Sequence, residues 1–302
     1  MGKIIADLHI HTTSSDGTFS PQEIINKLEN LHATHFSITD HDTCEAYEIL
    51  KNIIKKSDLI LIPGIEFSTQ DDLEKGRRDI HMLGFYLDVN NEKIKDYANT
   101  LIEGRKKEKQ ILVERLQTLG YPIKWTDVEK KSSGKPIGKP HIVEPLLDNM
   151  NLTGSERYVT REKLYDFCYN QHILRQGAMT LEDTIKFIHD LGGIAVLAHP
   201  ELYEEDDTVI KDSLSAGIDG IELYNKYRNP IFMQDAKYTL PFEKIKKYDD
   251  YALNNNLLVT GGSDYHGQNT LSEPLAGGLD KKHIDIFMDS CRLRGINTTY
   301  PA

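Results

Sequence analysis

The sequence predicts an α/β protein, a distorted seven-stranded TIM-like β/α barrel with an inserted helical subdomain. Three observations carry this. Short, β-branched apolar runs alternate with amphipathic helical stretches through residues 3–90 and again from residue 193. From about 91 to 190 the pattern is helical, with no clear strand. Polar residues of the metal-ligand type stand at the C-terminal ends of the strand runs, where parallel barrels place their active sites. The expected division is residues 1–90 and 191–302 for the barrel and 91–190 for the helical insertion.

The elements follow in order. Lys3 to His11 reads as a first strand. Ser20-Pro21-Gln22-Glu23 then starts a helix, with Ser as cap, Pro at the first helical position and Glu at capping-box spacing. Phe36 to Thr39 is a second strand and Glu45 to Lys56 a second helix. Leu59 to Ile62 leads as a third strand into Pro63-Gly64-Ile65-Glu66, and Asp79 to Phe85 is a fourth. Within the insertion, Leu101 to Leu119 is a charged amphipathic helix stopped by Gly120, and Lys130 to Lys139 is a loop. Strands resume at Gly193–Ala198, Gly220–Tyr224 and Leu257–Thr260, before a final helix from about His283 to Leu293. Seven strand–helix units predict a closed or nearly closed parallel sheet.

Composition narrows the function classes. The 302 residues carry a formal net charge of −11, which disfavours sequence-independent binding of long duplex nucleic acid. No run of about 18 apolar residues exists, so no membrane span is expected. The three separated cysteines (Cys44, Cys168, Cys291) and the lack of a signal-type apolar segment read as a protein of the reducing cytoplasm, monomeric or a small homo-oligomer.

The chemistry is read from four clusters. Asp7-Leu8-His9-Ile10-His11 sits on the first strand, where alternation puts His9 and His11 on one face, with Asp16 close behind. Thr39-Asp40-His41-Asp42, Ala198-His199-Pro200 and Ser263-Asp264-Tyr265-His266 each close another apolar run. Adding Glu66 and His81 gives nine candidate metal ligands: His9, His11, Asp16, His41, Glu66, His81, His199, Asp264 and His266. Six are histidines, from a chain that has 12. Nine is too many for one ion, because zinc takes three or four protein ligands. With one bridging carboxylate the set suits two or three divalent ions, and mixed His/carboxylate donors suit Zn, Mn or Fe. Three carboxylates against three dications leave a positive site that fits a phosphate dianion. Asp40 is expected to cap its turn and orient His41, and Glu222 and Asp219 to do structural or supporting work.

These motifs, in this order, resemble the PHP (polymerase and histidinol phosphatase) family. Glu103-Gly104-Arg105, Leu119-Gly120-Tyr121-Pro122-Ile123 and Gly138-Lys139-Pro140-His141 further resemble its TrpH/RNase AM-like branch of metal-dependent phosphoesterases. The resemblance implies a trinuclear site. His9, His11, Glu66 and Asp264 would hold one ion. Glu66, His81 and His199 would hold a second, with Glu66 bridging, and Asp16, His41 and His266 a third. It also implies hydrolysis of a small phosphorylated substrate by a metal-activated hydroxide. Nucleoside monophosphates, 3′,5′-bisphosphates and short oligoribonucleotides are the expected substrates. Asp16, Glu66, His199 and His141 are the expected catalytic residues. Arg105, Lys135 and Lys139 are candidate phosphate clamps, and the insertion would cover the barrel mouth. Three positions depart from the branch pattern: Glu108 follows Arg105 where a second arginine is usual, Lys139 replaces an arginine, and Asn225 stands where a histidine is common. A lysine gives a point charge rather than a bidentate fork, so phosphate recognition should be looser. The competing readings are a histidinol-phosphate phosphatase, a non-catalytic metal-binding PHP accessory domain, and a metal-dependent amide hydrolase.

Overall fold

The structure is a computed structural model that describes residues 2–70, 72, 80–132, 137–171, 173–203, 205–225, 242–267 and 273–298. The chain divides into two compact units, Met1–Lys95 with Met179–Ala302, and Asp96–Ala178.

The first unit is a mixed α/β fold. Its strands are β1 (Ile4–Ile10), β2 (His35–Ile38), β3 (Ile60–Leu61), β4 (Gly64–Ser68), β5 (His81–Phe85), β6 (Ile194–Leu197), β7 (Gly220–Asn225), β8 (Leu258–Gly262) and β9 (Leu279–Asp280). They form a four-stranded sheet in the order β3-β2-β1-β9 and a five-stranded sheet in the order β4-β5-β6-β7-β8. The pairing is not all parallel, as the strand–helix rhythm predicts. β5 runs antiparallel to both β4 and β6, and β9 antiparallel to β1. The physical reason is local. Pro63 has no N–H to give a ladder, so the run from Leu59 breaks into β3 and β4, which join different sheets. β5 then returns directly beside β4, with no helix assigned between them among the described residues, and such a return is antiparallel. The sheets touch at two isolated parallel bridges, Ile10 with Tyr265 and His41 with Glu66.

The helices follow apolar periodicity. α1 (Pro21–Asn30) begins with a complete capping box, in which the Ser20 backbone N–H donates to Glu23 Oε2 at 2.8 Å. It buries Ile24, Ile25 and Leu28 with Ile10, Phe36 and Ile38. α2 (Ala46–Ile53) adds Leu50 and Tyr47 to that cluster, and the Tyr47 hydroxyl donates to the Ile38 carbonyl at 2.8 Å. A second cluster joins Leu8, Leu83, Phe85 and Val196 to Ile284, Phe287 and Met288 of the last helix, Lys281–Leu293. Strand alternation therefore separates two jobs along β1: Ala6, Leu8 and Ile10 are core, while Asp7 and His9, with His11 just beyond, face the other way.

The second unit holds most of α3 (Glu92–Thr118) together with α4 (Trp125–Ser132), α5 (Pro140–Asn149) and α6 (Gly154–Tyr169). Its own core packs Leu112, Val113 and Leu116 against Val128, Ile142, Leu146 and Leu164. α7 (Leu181–Asp190) lies in the first unit, where Phe187 meets Phe67 edge to face. α8 (Asp206–Ser215), α9 (Phe242–Asn254) and α10 (the last helix, Lys281–Leu293) complete the first unit. Among the described residues no helix is long and apolar enough to cross a membrane.

Candidate metal centre

All nine candidate ligands lie in the first unit, delivered by strand ends and the loops beyond them. His9 belongs to β1 and His11 follows it. His41 follows β2, Glu66 is in β4, His81 opens β5, His199 follows β6, and Asp264 and His266 follow β8. Three groups of donor atoms converge, each within 4.8 Å: His11, Asp16, His41 and His266; His9, His11 and Asp264; His41, Glu66 and His81.

Glu66 is the hub. It is fully buried, and five imidazoles surround its two oxygens. Oε1 lies 3.3 Å from His9 Nε2, 3.0 Å from His81 Nδ1 and 3.2 Å from His199 Nε2. Oε2 lies 3.2 Å from His11 Nε2 and 2.9 Å from His41 Nδ1. Asp264 Oδ1 stands 3.5 Å from His9 Nε2 and 3.3 Å from His11 Nε2. Metal–nitrogen bonds of about 2.0–2.1 Å separate neighbouring ligands of a tetrahedral ion by roughly 3.3–3.4 Å, and these contacts spread around that value, from 2.9 to 3.5 Å. The outer group is wider: Asp16 is 3.3 Å from His266 Nε2, 3.7 Å from His41 Nε2 and 3.8 Å from His11 Nδ1. Asp16 is also the open edge, its side chain 54% exposed against none for Glu66.

The donors fit cations by a second test. His9 Nε2, both ring nitrogens of His11, His41 Nδ1, His199 Nδ1 and Glu66 Oε2 are buried and, though several lie within 3.3 Å of one another, make no well-aligned hydrogen bond among the described residues. Buried polar atoms are normally satisfied, and so many orphans facing one another are explained by a shared ion. The field agrees. Burial by itself would raise the Glu66 pKa, but His41, His81 and His9 overcome it and hold the carboxyl well below the usual range. Burial likewise disfavours a charged His9, yet Glu66, Glu222 and Asp264 pull its pKa well up. Partial burial would raise the Asp16 pKa, but His41, His266 and His11 hold its carboxyl well below the usual range.

Further carboxylates hold the ligand loops by their backbones. Asp7, fully buried, accepts from Ser263 N at 2.9 Å and Leu275 N at 2.8 Å. Burial pushes its pKa up to about 6 against those bonds. Asp40 accepts from Thr12 N and Thr12 Oγ1, both at 2.7 Å, and from Ser15 Oγ at 2.6 Å, so it fixes the turn that carries Asp16. Asp42 accepts from Ser68 N at 2.8 Å. His199 and Asp264 have left-handed φ values of 24° and 49°. Non-glycine residues adopt such backbone at a cost, and it clusters at functional sites. Space is equally tight, since a Cβ on Gly262 would meet His9 Cβ at 2.3 Å.

Some features had no reading in the sequence. Glu201 carries a buried Oε1 with no aligned hydrogen bond among the described residues, and burial pushes its pKa up to about 8. No motif points to it. Asp7 shares the His9/His11 face by strand parity, which was the available signal. Of the other predicted residues, Arg105 lies on α3, Lys139 is the N-cap of α5, and His141 is within α5, all in the second unit. His141 Nδ1 accepts from Gly138 N at 2.9 Å, which places its ring proton on Nε2. Lys135 lies outside the described residues.

Comparison with known proteins supplies the family. The PHP domain model matches residues 7–228. The 5′-3′ exoribonuclease Rnm of Salmonella typhimurium is 30% identical over 207 residues, covering 67% of each chain. The 3′,5′-nucleoside bisphosphate phosphatase of Chromobacterium violaceum is 25% identical over 300 residues, covering 95% of this chain and 93% of its own. A solved structure from Bifidobacterium adolescentis, described as a metal-dependent phosphoesterase, superposes with a TM-score of 0.73 at 24% identity, covering 95% of this chain and 96% of that one. With that match spanning most of the ligand positions, the chain belongs to the PHP domain family.

Proposed function

We propose that this protein is a metal-dependent phosphoesterase that hydrolyses a small phosphorylated nucleotide: a nucleoside monophosphate, a 3′,5′-bisphosphate or a short oligoribonucleotide. The observation that carries the reading is Glu66, a sealed carboxylate with five imidazole nitrogens within 3.3 Å. Oε1 faces His9, His81 and His199 and Oε2 faces His11 and His41, so one carboxylate reaches donors assigned to more than one ion. In this reading His9, His11, Glu66 and Asp264 would hold one divalent ion, Glu66, His81 and His199 a second, and Asp16, His41 and His266 a third. Zn, Mn and Fe all suit this donor set. The sheet bridges at Ile10–Tyr265 and His41–Glu66 support closure into a distorted barrel around the ions.

When bound, such ions lower the pKa of water from about 16 to about 7 and neutralise charge on phosphate oxygens. The chain's own residues do the rest. Glu66, His9 and His11, sealed from solvent, keep the inner donors dry and fixed. Asp40 holds the Thr12–Ser15 turn so that Asp16 stands at the open edge, the side from which a phosphate enters. The relatives named above are an exoribonuclease and a bisphosphate phosphatase, which supports a nucleotide rather than histidinol phosphate.

The test is a substrate panel with metal control. Chelation should abolish hydrolysis of 3′,5′-bisphosphates and short oligoribonucleotides, and Mn or Zn should restore it. Undiminished turnover after exhaustive chelation would remove this reading.

A further inference from the structure

Glu222 belongs to none of the three converging donor groups, yet it is fully buried in the middle of β7. Its two oxygens make different contacts. Oε1 lies 3.1 Å from His9 Nδ1, and Oε2 accepts from the His199 backbone N–H at 2.9 Å. Those partners belong to different strands, β1 and the end of β6. On the ligand reading above they also belong to different ions. His199 needs the help, because its backbone sits at φ 24° and ψ 59°, outside the regions a non-glycine residue prefers.

We infer that Glu222 is a positioning residue that couples two ion subsites: it fixes the tautomer of His9 and clamps the strained turn of His199. This rests on the ligand assignment of the previous section. The chemistry is specific to a carboxylate. His9 can aim an Nε2 lone pair at an ion beside Glu66 and Asp264 only when its proton is on Nδ1. That proton needs an acceptor, and the His199 N–H needs another. A carboxylate offers both, while a carboxamide offers one acceptor and one donor. In Glu222→Gln, an oxygen kept on His199 turns the NH2 toward His9 Nδ1. The proton then moves to Nε2, the nitrogen that must bind. An oxygen kept on His9 instead sets NH2 against the His199 N–H. Either arrangement spoils one subsite.

The experiment compares wild type and Glu222→Gln, each stripped of metal and titrated with Zn, reading bound equivalents by elemental analysis and affinity by competition with a chromogenic chelator. The expected result is a 10- to 100-fold weaker affinity for at least one equivalent, the usual cost of removing such a partner. The metal-free midpoint should fall modestly, because one buried N–H loses its acceptor; the deciding effect is the loss of ion affinity in the folded variant. Wild-type Zn affinity in a folded Glu222→Gln would overturn the inference. So would a lowered metal-free midpoint with unchanged affinity, the signature of a purely structural carboxylate. A wild type that binds no Zn would instead fail the ligand assignment itself. A measurement without any variant keeps the inference exposed: long-range proton–nitrogen NMR of the Zn-loaded wild type should find the His9 proton on Nδ1. Finding it on Nε2 would end the proposal.

Discussion

Replacing Glu66 with Gln removes one negative charge from the centre of five imidazoles while keeping the side chain's shape. The amide nitrogen is a donor and cannot bridge cations. Two magnitudes follow. An ion present at about 100 times its Kd stabilises the folded state by about 2.7 kcal/mol. At roughly 2–4 °C per kcal/mol for a domain of 150–250 residues, that is a rise of about 5–11 °C in the thermal midpoint. Glu66→Gln should lose most of this ion-dependent rise. On the kinetic side, metal neutralisation of developing charge is worth several kcal/mol. At about 1.4 kcal/mol per decade, a loss near 4 kcal/mol lowers kcat/KM roughly 10³-fold. The assays are differential scanning fluorimetry with and without Mn or Zn, and hydrolysis of a nucleoside bisphosphate under saturating metal. A folded Glu66→Gln protein that keeps both the thermal shift and the turnover would refute the bridging role.

Two further outcomes follow from the geometry, and a third from the clamp role that the resemblance implies for Arg105. Gly262→Ala puts a methyl carbon against His9 Cβ, so β8 must move from β1. Denaturation should show a loss of about 1–3 kcal/mol, accompanied by reduced metal content. Asp280 caps α10 through His283 N at 3.1 Å and also accepts from Gly2 N at 2.9 Å and His283 Nδ1 at 2.6 Å, which lower its pKa to about 2 against the burial penalty. Because the folded pKa is depressed, its contribution is full above an unfolded value near 4 and fades as pH falls through 2. Asp280→Asn keeps a capping oxygen but removes the charge, so it should cost about 1 kcal/mol at pH 7, and the gap should close in acid denaturation below pH 4. Finally, Arg105→Ala should raise KM about tenfold or more for phosphorylated substrates while leaving bound metal unchanged, since a lost charged hydrogen bond costs about 1.5–3 kcal/mol. An unaltered KM would remove Arg105 from substrate binding.

Much of the site was legible because strand parity and ligand chemistry act over short distances. His9 and His11 share a face by period two, and the Asp264/His266 and His41 turns each close an apolar run, so their convergence needed only the strands to be adjacent. The strand directions were not legible. A parallel set is the natural reading of alternating strands and helices, and nothing local to Asp79–Phe85 encodes that β5 returns antiparallel beside β4. Pro63 carried a usable signal, since a residue without an N–H interrupts a ladder, yet the apolar run through Ile62 to Ile65 masked the break. The two-residue β9 is too short for any pattern. The supporting carboxylates show a different limit. Asp40 is expected from sequence to orient His41; its carboxylate instead grips Thr12 and Ser15 across the strand ends, a pairing that only the fold creates. Glu222 reads in sequence as a structural or supporting residue, with nothing to name what it supports. Its partners, His9 and His199, are 213 and 23 residues away, and only the folded sheet brings them together.

The account stands or falls on where cations sit. Diffraction from crystals grown with Zn or Mn, collected on both sides of the metal absorption edge, reads this directly. The predicted result is two or three anomalous peaks within about 2.0–2.3 Å of the assigned donors, with Glu66 shared between two of them. Peaks confined to other parts of the surface, or none beside Glu66 at saturating metal, would contradict it.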